Sequence, residues 1–335
     1  MLTTTPKKNW TILIASAPFA LAQSLAFAAD DNNAVVAAKS ATAATTQLVN
    51  SFSTASFWGG GPLLSFRLGE IASRGQAAGD DSDFESTSFS VTPTVATINN
   101  RIEPILLDGR VSLVIMGVEK FDEIDLIAKG ITLTLDQTSV TSTQRVAGVA
   151  DALAEVTGSG YTIAPYYVMQ LESGRLVDFN VGLGKNNLQT ASAGVRAAPA
   201  SDRAFLSVGT SAVTPLAKNS YVQYKAALGY TYDGVDEYTQ SDGTVINRSS
   251  TQLTQVTAGA NYTLRFDSFA PFAGLTLVHN SFSTSSSAGV QPREYSSTVL
   301  LKMGVNFSNE SFYGTLSVQG ERGKTSVQAY AGLRF

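Results

Sequence analysis

The stretch SVQAYAGLRF, residues 326–335, sets apolar side chains at alternating positions. Val327, Ala329, Ala331, Leu333 and Phe335 share one face, while the other face is mostly polar or small. A period of two is typical of a β-strand whose two faces meet different surroundings. A single strand of this kind also suits a soluble sheet with one buried face, so the fold class depends on the pattern in the rest of the chain.

The same alternation recurs throughout the second half of the chain. An apolar face lies opposite a polar, glycine-rich face in STVLLKMGVNF (297–307), SFYGTLSVQG (311–320), QVTAGANYTLRF (255–266), YVQYKAALGYTYD (221–233) and LVDFNVGLG (176–184). These stretches run to about ten residues, and a tilted transmembrane strand needs about 9–11. Aromatic residues end the apolar faces, as in the girdles of membrane barrels: Tyr230, Tyr232, Phe266, Phe307 and Phe335. Strands in lipid must close into a barrel, because every backbone group has to be paired within the protein.

The connections between these stretches alternate in length, except at the last hairpin. Short connections are predicted at 308–310, 321–324, 267–268 and 214–219, and long loops at 280–294, 234–249 and 185–202. Weaker strand candidates upstream are YTIAPYYVMQL (161–171), GITLTLDQT (130–138), GRVSLVIMGV (109–118) and DFESTSFSVTPTV (83–95). We therefore predict an all-β fold, an antiparallel up-and-down transmembrane β-barrel of about twelve strands over residues 83–335. Residues 143–160 carry apolar side chains at helical spacing, which favours a helix within a loop there.

The first 82 residues have a different composition. Lys7 and Lys8, an apolar run from Trp10 and the small residues before Ala29 predict a secretory signal peptide over residues 1–28, cleaved after Ala28. Residues 29–82 form an alanine- and threonine-rich lead, with a short helical segment predicted over 34–57 and ended by the glycines at 59–61. Two interpretations of this lead stay open: a plug in the barrel lumen, or a disordered tail.

Composition excludes several classes of function. The 335-residue chain has 23 Lys and Arg against 27 Asp and Glu, a net charge of -4 that is unlike a nucleic-acid-binding protein. It contains no cysteine and one histidine, so we expect no cofactor and no zinc or iron site with the usual ligands.

The glycine and aromatic pattern of AKNSYVQYKAALGY (217–230), LVDFNVGLG and YAGLRF (330–335) resembles the translocator domain of autotransporters, over residues 47–335. The resemblance implies the outer membrane of a Gram-negative bacterium, with outer-membrane lipid and the barrel-assembly machinery as partners. It also implies that the assembly machinery reads Phe335, Leu333, Ala331 and Ala329. The sequence departs from the family because residues 29–82 leave no room for a large passenger.

The only histidine is the one candidate for a catalytic base. His279 lies in LTLVHNSFS (275–283) and shares its parity with Leu275 and Leu277, which predicts that it points outward to lipid headgroups. Its neighbour Asn280 then points to the opposite face and cannot assist it. We therefore predict that the protein is not an enzyme.

Five charged residues are predicted to face the lumen: Asp178, Lys225, Arg265, Lys302 and Arg334. They form a mixed set without the cluster of one sign that a strongly selective pore needs. Two alternatives to the translocator interpretation remain, a small general-diffusion porin and a protein that binds an external ligand through its long loops.

Overall fold

The computed structural model describes residues 85–102, 105–122, 127–144, 152–192, 194–266, 269–286, 289–290, 294–308, 312–321 and 324–334. Within these ranges the chain forms twelve long strands. In chain order they are β1 (Glu85–Ile102), β2 (Ile105–Asp122), β3 (Ile127–Gln144), β4 (Ala152–Gln170), β5 (Leu176–Ser192), β6 (Ala200–Ala217), β7 (Ser220–Val235), β8 (Ser249–Leu264), β9 (Phe269–Ser286), β10 (Glu294–Ser308), β11 (Phe312–Glu321) and β12 (Lys324–Arg334). Shorter paired segments lie in three connections, at Val195–Ala197, Tyr238–Thr239, Val245–Ile246 and Gly289–Val290.

The twelve strands close into one barrel. Each strand pairs antiparallel with its neighbours in sequence, and β1 pairs with β12 through partners such as Val91 with Ala331 and Val95 with Val327. The predicted fold class, an antiparallel up-and-down barrel of about twelve strands, is confirmed. No helix that is long and apolar enough to cross a bilayer occurs in the part of the chain that the structure describes.

The strands are strongly tilted. Following the register of paired residues once around the barrel from Ser308 leads back to the same strand at Glu294. A register shift of about 14 residues over twelve strands corresponds to a tilt of roughly 40° from the barrel axis. The interior is therefore wide enough to need filling by long side chains, by other chain segments or by solvent.

The outward face carries a continuous belt of exposed apolar side chains. Soluble proteins rarely expose such an area, whereas lipid-facing barrel strands require it. Its most exposed members include Leu183 (66%), Met303 (63%), Leu301 (57%), Leu316 (55%) and Leu277 (54%). On the same strands the alternate, inward-facing residues are mostly polar and largely buried.

Aromatic residues mark both edges of this belt. At the lower end, defined here as the end with Glu85 and Arg334, Phe307 stacks on Phe312 at 5.5 Å and Phe266 on Phe269 at 4.7 Å. Exposed tyrosines, among them Tyr161, Tyr230 and Tyr295, lie toward the upper end. Above Tyr161 the outward residues of β4 turn polar at Ser159, Thr157 and Glu155. The strands therefore continue beyond the belt on this side.

Three local predictions were wrong. Only β11 and β12, with 10 and 11 residues, have the predicted length of about ten, because the other strands extend above the belt. The long loops predicted at 185–202, 234–249 and 280–294 are shortened by these extensions, which reach Ser192, Val235 and Ser286. The helix favoured over 143–160 is excluded from Ala152 onward, since β4 pairs there with β3. The signal peptide, the lead at 29–82 and the predicted barrel start at 83 lie outside the described residues.

A charge placed in the middle of the belt tests its lipid contact. Leu275 on β9 is 46% exposed, and Ser283 has the same outward parity beyond the upper edge of the belt. We expect Leu275→Arg to lower the unfolding free energy in lipid vesicles by about 2–4 kcal/mol, and Ser283→Arg to change it by less than about 1 kcal/mol. Equal effects of the two substitutions in urea unfolding would contradict a lipid-facing belt.

Candidate functional site

The candidate site is the barrel interior, whose wall is polar and rich in glycine. Fully or nearly buried inward residues include Asn180, Asn186, Gln223, Gln255 and Asn280. An unpaired buried polar group costs free energy. The side-chain amides of Asn180 and Asn186 have no hydrogen-bond partner among the described residues, whereas others are paired. Gln255 Nε2, for instance, donates to Asn280 Oδ1 at 3.0 Å, and Asn280 Nδ2 donates to Ser296 Oγ at 3.5 Å.

One polar bridge crosses three strands in the lower half of the interior. The hydroxyl of Tyr166 on β4 donates to Glu119 Oε2 on β2 at 2.6 Å. The tyrosine ring reaches across β3 because Gly130 has no side chain; a Cβ there would lie 2.6 Å from Tyr166 Cζ. The glycine thus lets one side chain tie β4 to β2.

A buried ionic cluster lies near the upper end. Arg203 on β6 donates from Nη1 to Asp136 Oδ1 on β3 at 3.1 Å and from Nε to Asp233 Oδ2 on β7 at 3.5 Å. All three side chains are fully buried. The strands between β6 and β3 carry Gly184 opposite Arg203 and Gly160 opposite Asp136, which leaves a path for the long side chain. The cluster therefore braces one wall of the barrel.

The opposite side of the interior is less tightly covered. Inward-facing residues are half-buried along β10 from Ser296 to Gly304 and in the middle of β8 and β9, whereas most of those on β4, β5 and β6 are buried. The described residues thus outline a crevice along β8 to β10. Among the residues that the structure describes, no group of three or more His, Asp or Glu side chains could hold a metal ion.

Three solved structures have the same architecture at low sequence identity. The transport unit of the autotransporter AIDA-I from Escherichia coli is 12% identical with a TM-score of 0.55, and the match covers 81% of this chain and 97% of that one. The translocator domain of autotransporter NalP from Neisseria meningitidis is 11% identical with a TM-score of 0.53, covering 84% and 97%. The β domain of the Bordetella autotransporter BrkA is 16% identical with a TM-score of 0.52, covering 75% and 99%.

The chain has the fold of an autotransporter translocator barrel. This confirms the resemblance seen in the sequence at the level of the fold, and together with the apolar belt it identifies an outer-membrane β-barrel. No protein-family model matches the chain. No curated protein matches it in sequence. The activity therefore has to be argued from the interior itself.

The structure places the residues proposed for assembly on the outward face of β12. Leu333 is 45% exposed and pairs with Phe89 on β1 and Phe312 on β11. Ala331 and Ala329 share its face and are exposed. Phe335 lies outside the described residues, as does Ala28 at the predicted signal-peptide cleavage site.

The five proposed lumen charges do not form one cluster. Asp178, Lys225 and Lys302 occupy inward positions on β5, β7 and β10. Asp178 lies against Gly209, and Arg265 follows the last residue of β8 at the lower end. The backbone of Arg334 pairs with Ser88, while its side chain lies outside the described part of the structure.

His279 lies on the outward face. Its side chain is exposed, its Nδ1 is 2.9 Å from Ser297 Oγ and its ring stacks on Tyr295 at 6.1 Å. Among the described residues it forms no ion pair with an Asp or Glu, and the adjacent Asn280 faces inward. The histidine therefore lies at the upper edge of the belt, with a serine neighbour and with no acidic partner in the part of the chain that the structure describes.

The ionic cluster of Arg203, Asp136 and Asp233 was not foreseen from the sequence. Asp136 and Arg203 are 67 positions apart, and only the register of the three strand pairs from β3 to β6 brings them together. A useful sequence signal was present, since each residue has the parity of an inward position within an alternating stretch.

Removing the central cation tests the cluster. We expect Arg203→Met to lower the unfolding free energy by about 3–5 kcal/mol, because it leaves buried carboxylates uncompensated. The matched control is Lys185→Met, which breaks the outward Lys185–Asp202 pair whose side chains are 66% and 65% exposed. That change should cost about 0–1 kcal/mol. Equal losses in urea unfolding would show that Arg203 does not brace the wall.

Proposed function

We propose that this protein is a non-catalytic outer-membrane barrel of the translocator type, with its lumen as the functional surface. The observation that supports the proposal is the covered wall from β4 to β6, where inward residues such as Asn180 (0% exposed), Leu188 (1%) and Arg203 (2%) are inaccessible. A wide, open pore would leave inward side chains such as those of Asn180 and Arg203 in contact with water. The covered wall supports a lumen that is largely filled.

In this proposal the lead at 29–82, which lies outside the described residues, closes the lumen as a plug. The lead precedes β1, whose first residue is at the lower end of the barrel. In outer-membrane barrels with an even number of strands both chain ends lie in the periplasm, so the lower end is the periplasmic one. We also propose that no large passenger lies between the expected signal peptide and the barrel in this sequence.

The absence of catalysis rests on the position of His279. A histidine that acts as general base needs a positioned nucleophile and a group that orients its ring. Ser297 lies close enough to His279 to be the nucleophile, but no described acidic side chain pairs with the histidine ring to orient it. We therefore assign His279 to the membrane interface, beside Tyr295.

A small diffusion channel is the second candidate, and the crevice along β8 to β10 favours it. Half-buried inward residues follow β10 from Ser296 to Gly304, which is most of the height of the belt. A continuous accessible path along one wall would admit small solutes even if the rest of the interior is filled.

Single-channel conductance in a planar bilayer separates the two candidates. We compare the full chain with a variant that lacks residues 34–74, since every barrel pairing lies within residues 85–334. The translocator-type proposal expects a silent full chain and a conducting variant, because the deletion removes the plug. If both proteins conduct alike, the plug is refuted and the channel candidate is supported.

The control for this experiment is folding. Both proteins should show the heat-dependent change in gel mobility of a closed barrel before they are inserted into the bilayer. A silent variant with normal mobility would also contradict the plug, because it would show that the barrel wall itself blocks the pore.

A further inference from the structure

Six neutral polar side chains on the covered wall are buried and have no hydrogen-bond partner among the described residues. They lie on the inward faces of β4, β5 and β6, and none is more than 3% exposed. The hydroxyl oxygens, and both the oxygen and the nitrogen of each amide, lack a partner. We call this set the amide wall: Asn180, Asn186, Thr162, Thr190, Ser201 and Ser207.

The amide wall extends along the barrel axis. Asn180 pairs through its backbone with Ser207 in the lower half of β5 and β6, and Asn186 pairs with Ser201 above them. Six residues of extended strand separate the two asparagines, which is about 20 Å along β5. At a strand tilt of roughly 40° this distance is about 15 Å along the barrel axis.

The surface between the two asparagines is shallow, because β5 carries glycine at both inward positions between them. A Cβ on Gly182 would collide with the ring of Phe205, and a Cβ on Gly184 would lie 2.6 Å from Thr162 Oγ1. The side chains of the neighbouring strands thus lie over these glycines. A helix in the lumen can therefore come close to β5, within reach of both amides.

The buried groups of the amide wall need a partner. An amide or hydroxyl that is removed from water without a hydrogen bond destabilises the folded protein. Water in an open lumen would satisfy these groups, but their atoms are inaccessible to solvent. The wall residues are uncharged, and each asparagine can both donate and accept. The partner that fits them is therefore a neutral polar surface.

The lead contains such a surface in its sequence. The helical segment predicted over 34–57 has one charged residue, Lys39, and is rich in serine and threonine. At helical spacing its two faces differ between residues 41 and 55. One face, which we call the polar stripe, carries Thr42, Thr46, Asn50 and Ser53, and the opposite face carries Ala41, Ala44, Leu48, Phe52 and Ala55.

The polar stripe matches the amide wall in length, and the lead can reach it. From Thr42 to Ser53 a helix is about 16 Å long, close to the axial distance between Asn180 and Asn186. Residues 58–84 connect the helical segment to β1 at the lower end, and an extended chain of this length exceeds the lumen width of roughly 25 Å several times. Because the chain enters from below, Ser53 comes to the level of Asn180 and Thr42 to the level of Asn186.

We propose that the polar stripe of the lead binds the amide wall from inside the lumen. The inference rests on the proposed plug and adds the surface on which the plug is held. Hydroxyl and amide groups of the stripe donate to and accept from Asn180 and Asn186, and the apolar face of the segment points away from the wall.

Cysteine cross-linking of the full chain in isolated outer membranes tests this contact, because the chain has no cysteine. Ser201→Cys on the wall is combined with Thr42→Cys on the polar stripe or with Ala44→Cys, which lies at the same height on the opposite face. We expect a short bis-maleimide to join Ser201→Cys to Thr42→Cys several times more efficiently than to Ala44→Cys. The control for the wall is Thr298→Cys, at a half-buried inward position of β10, which should join poorly to Thr42→Cys.

Replacing the two amides tests their contribution. We expect Asn180→Leu with Asn186→Leu to raise the open fraction of the full chain in a planar bilayer about tenfold or more, because two hydrogen-bonding groups that hold the plug are removed. The matched control is Thr276→Val with Thr298→Val, two neutral polar positions on the accessible side, which should stay silent. Heat-dependent gel mobility confirms that each variant is a folded barrel.

The outcomes separate this inference from the proposed plug. If the unaltered chain is silent but Ser201→Cys joins equally to both lead positions, or Thr298→Cys captures Thr42→Cys as efficiently as Ser201→Cys does, the plug stands and its seat on the amide wall is refuted. A silent Asn180→Leu, Asn186→Leu chain contradicts the role of the amides in the same way. If the unaltered chain conducts like the variant without residues 34–74, the plug and this inference fail together.

Discussion

Backbone pairing at the level of the apolar belt is the constraint on which the rest of the structure depends. A bilayer core offers no water to an unpaired N–H or C=O group, so an open sheet edge cannot be tolerated there. The pairing of β1 with β12 removes the last edge, and it does so between the strands that are furthest apart in sequence. The tilt, the register and the wide interior all follow from closing twelve strands in this way.

The polar wall of the wide interior also needs bonding partners, and the two sides of the barrel differ in how these are supplied. From β2 to β7, long polar side chains cross the wall and bind partners on other strands, as Tyr166 does with Glu119 and Arg203 does with Asp136. Glycines on the intervening strands make room for them. Along β8 to β10 the described bridges are neutral: Gln255 binds Asn280, Asn280 binds Ser296, and Lys302 reaches Gln328 on β12 without an ionic partner among the described residues. The interior thus has one braced side and one accessible side, and the proposed functions rest on this asymmetry.

The sequence predicted the strands of the belt because lipid imposes a period of two on their outward faces. The strand prediction was weaker for β2, because its inward residues Val111, Leu113 and Ile115 are also apolar and buried, so that the alternation is lost. It missed the upper strand extensions, since both faces are polar above the belt and resemble loops in composition. The helix expected around Leu153 failed because pairing with β3 outweighs a short helical spacing. The ionic cluster could not be predicted, because the local pattern of polar and apolar residues does not specify the register between distant strands.

Closure of the barrel is the central claim, and disulfide cross-linking between β1 and β12 tests it most directly. The chain has no cysteine, so a Val95→Cys and Val327→Cys pair can be read without background. Paired antiparallel residues have Cα atoms about 4.5–5.5 Å apart, within the range of a disulfide. The account predicts efficient cross-linking of this pair in isolated outer membranes, and little cross-linking of a Val91→Cys and Val327→Cys pair, which is out of register. Absence of the first cross-link, or equal yields from both pairs, would contradict a barrel closed in this register.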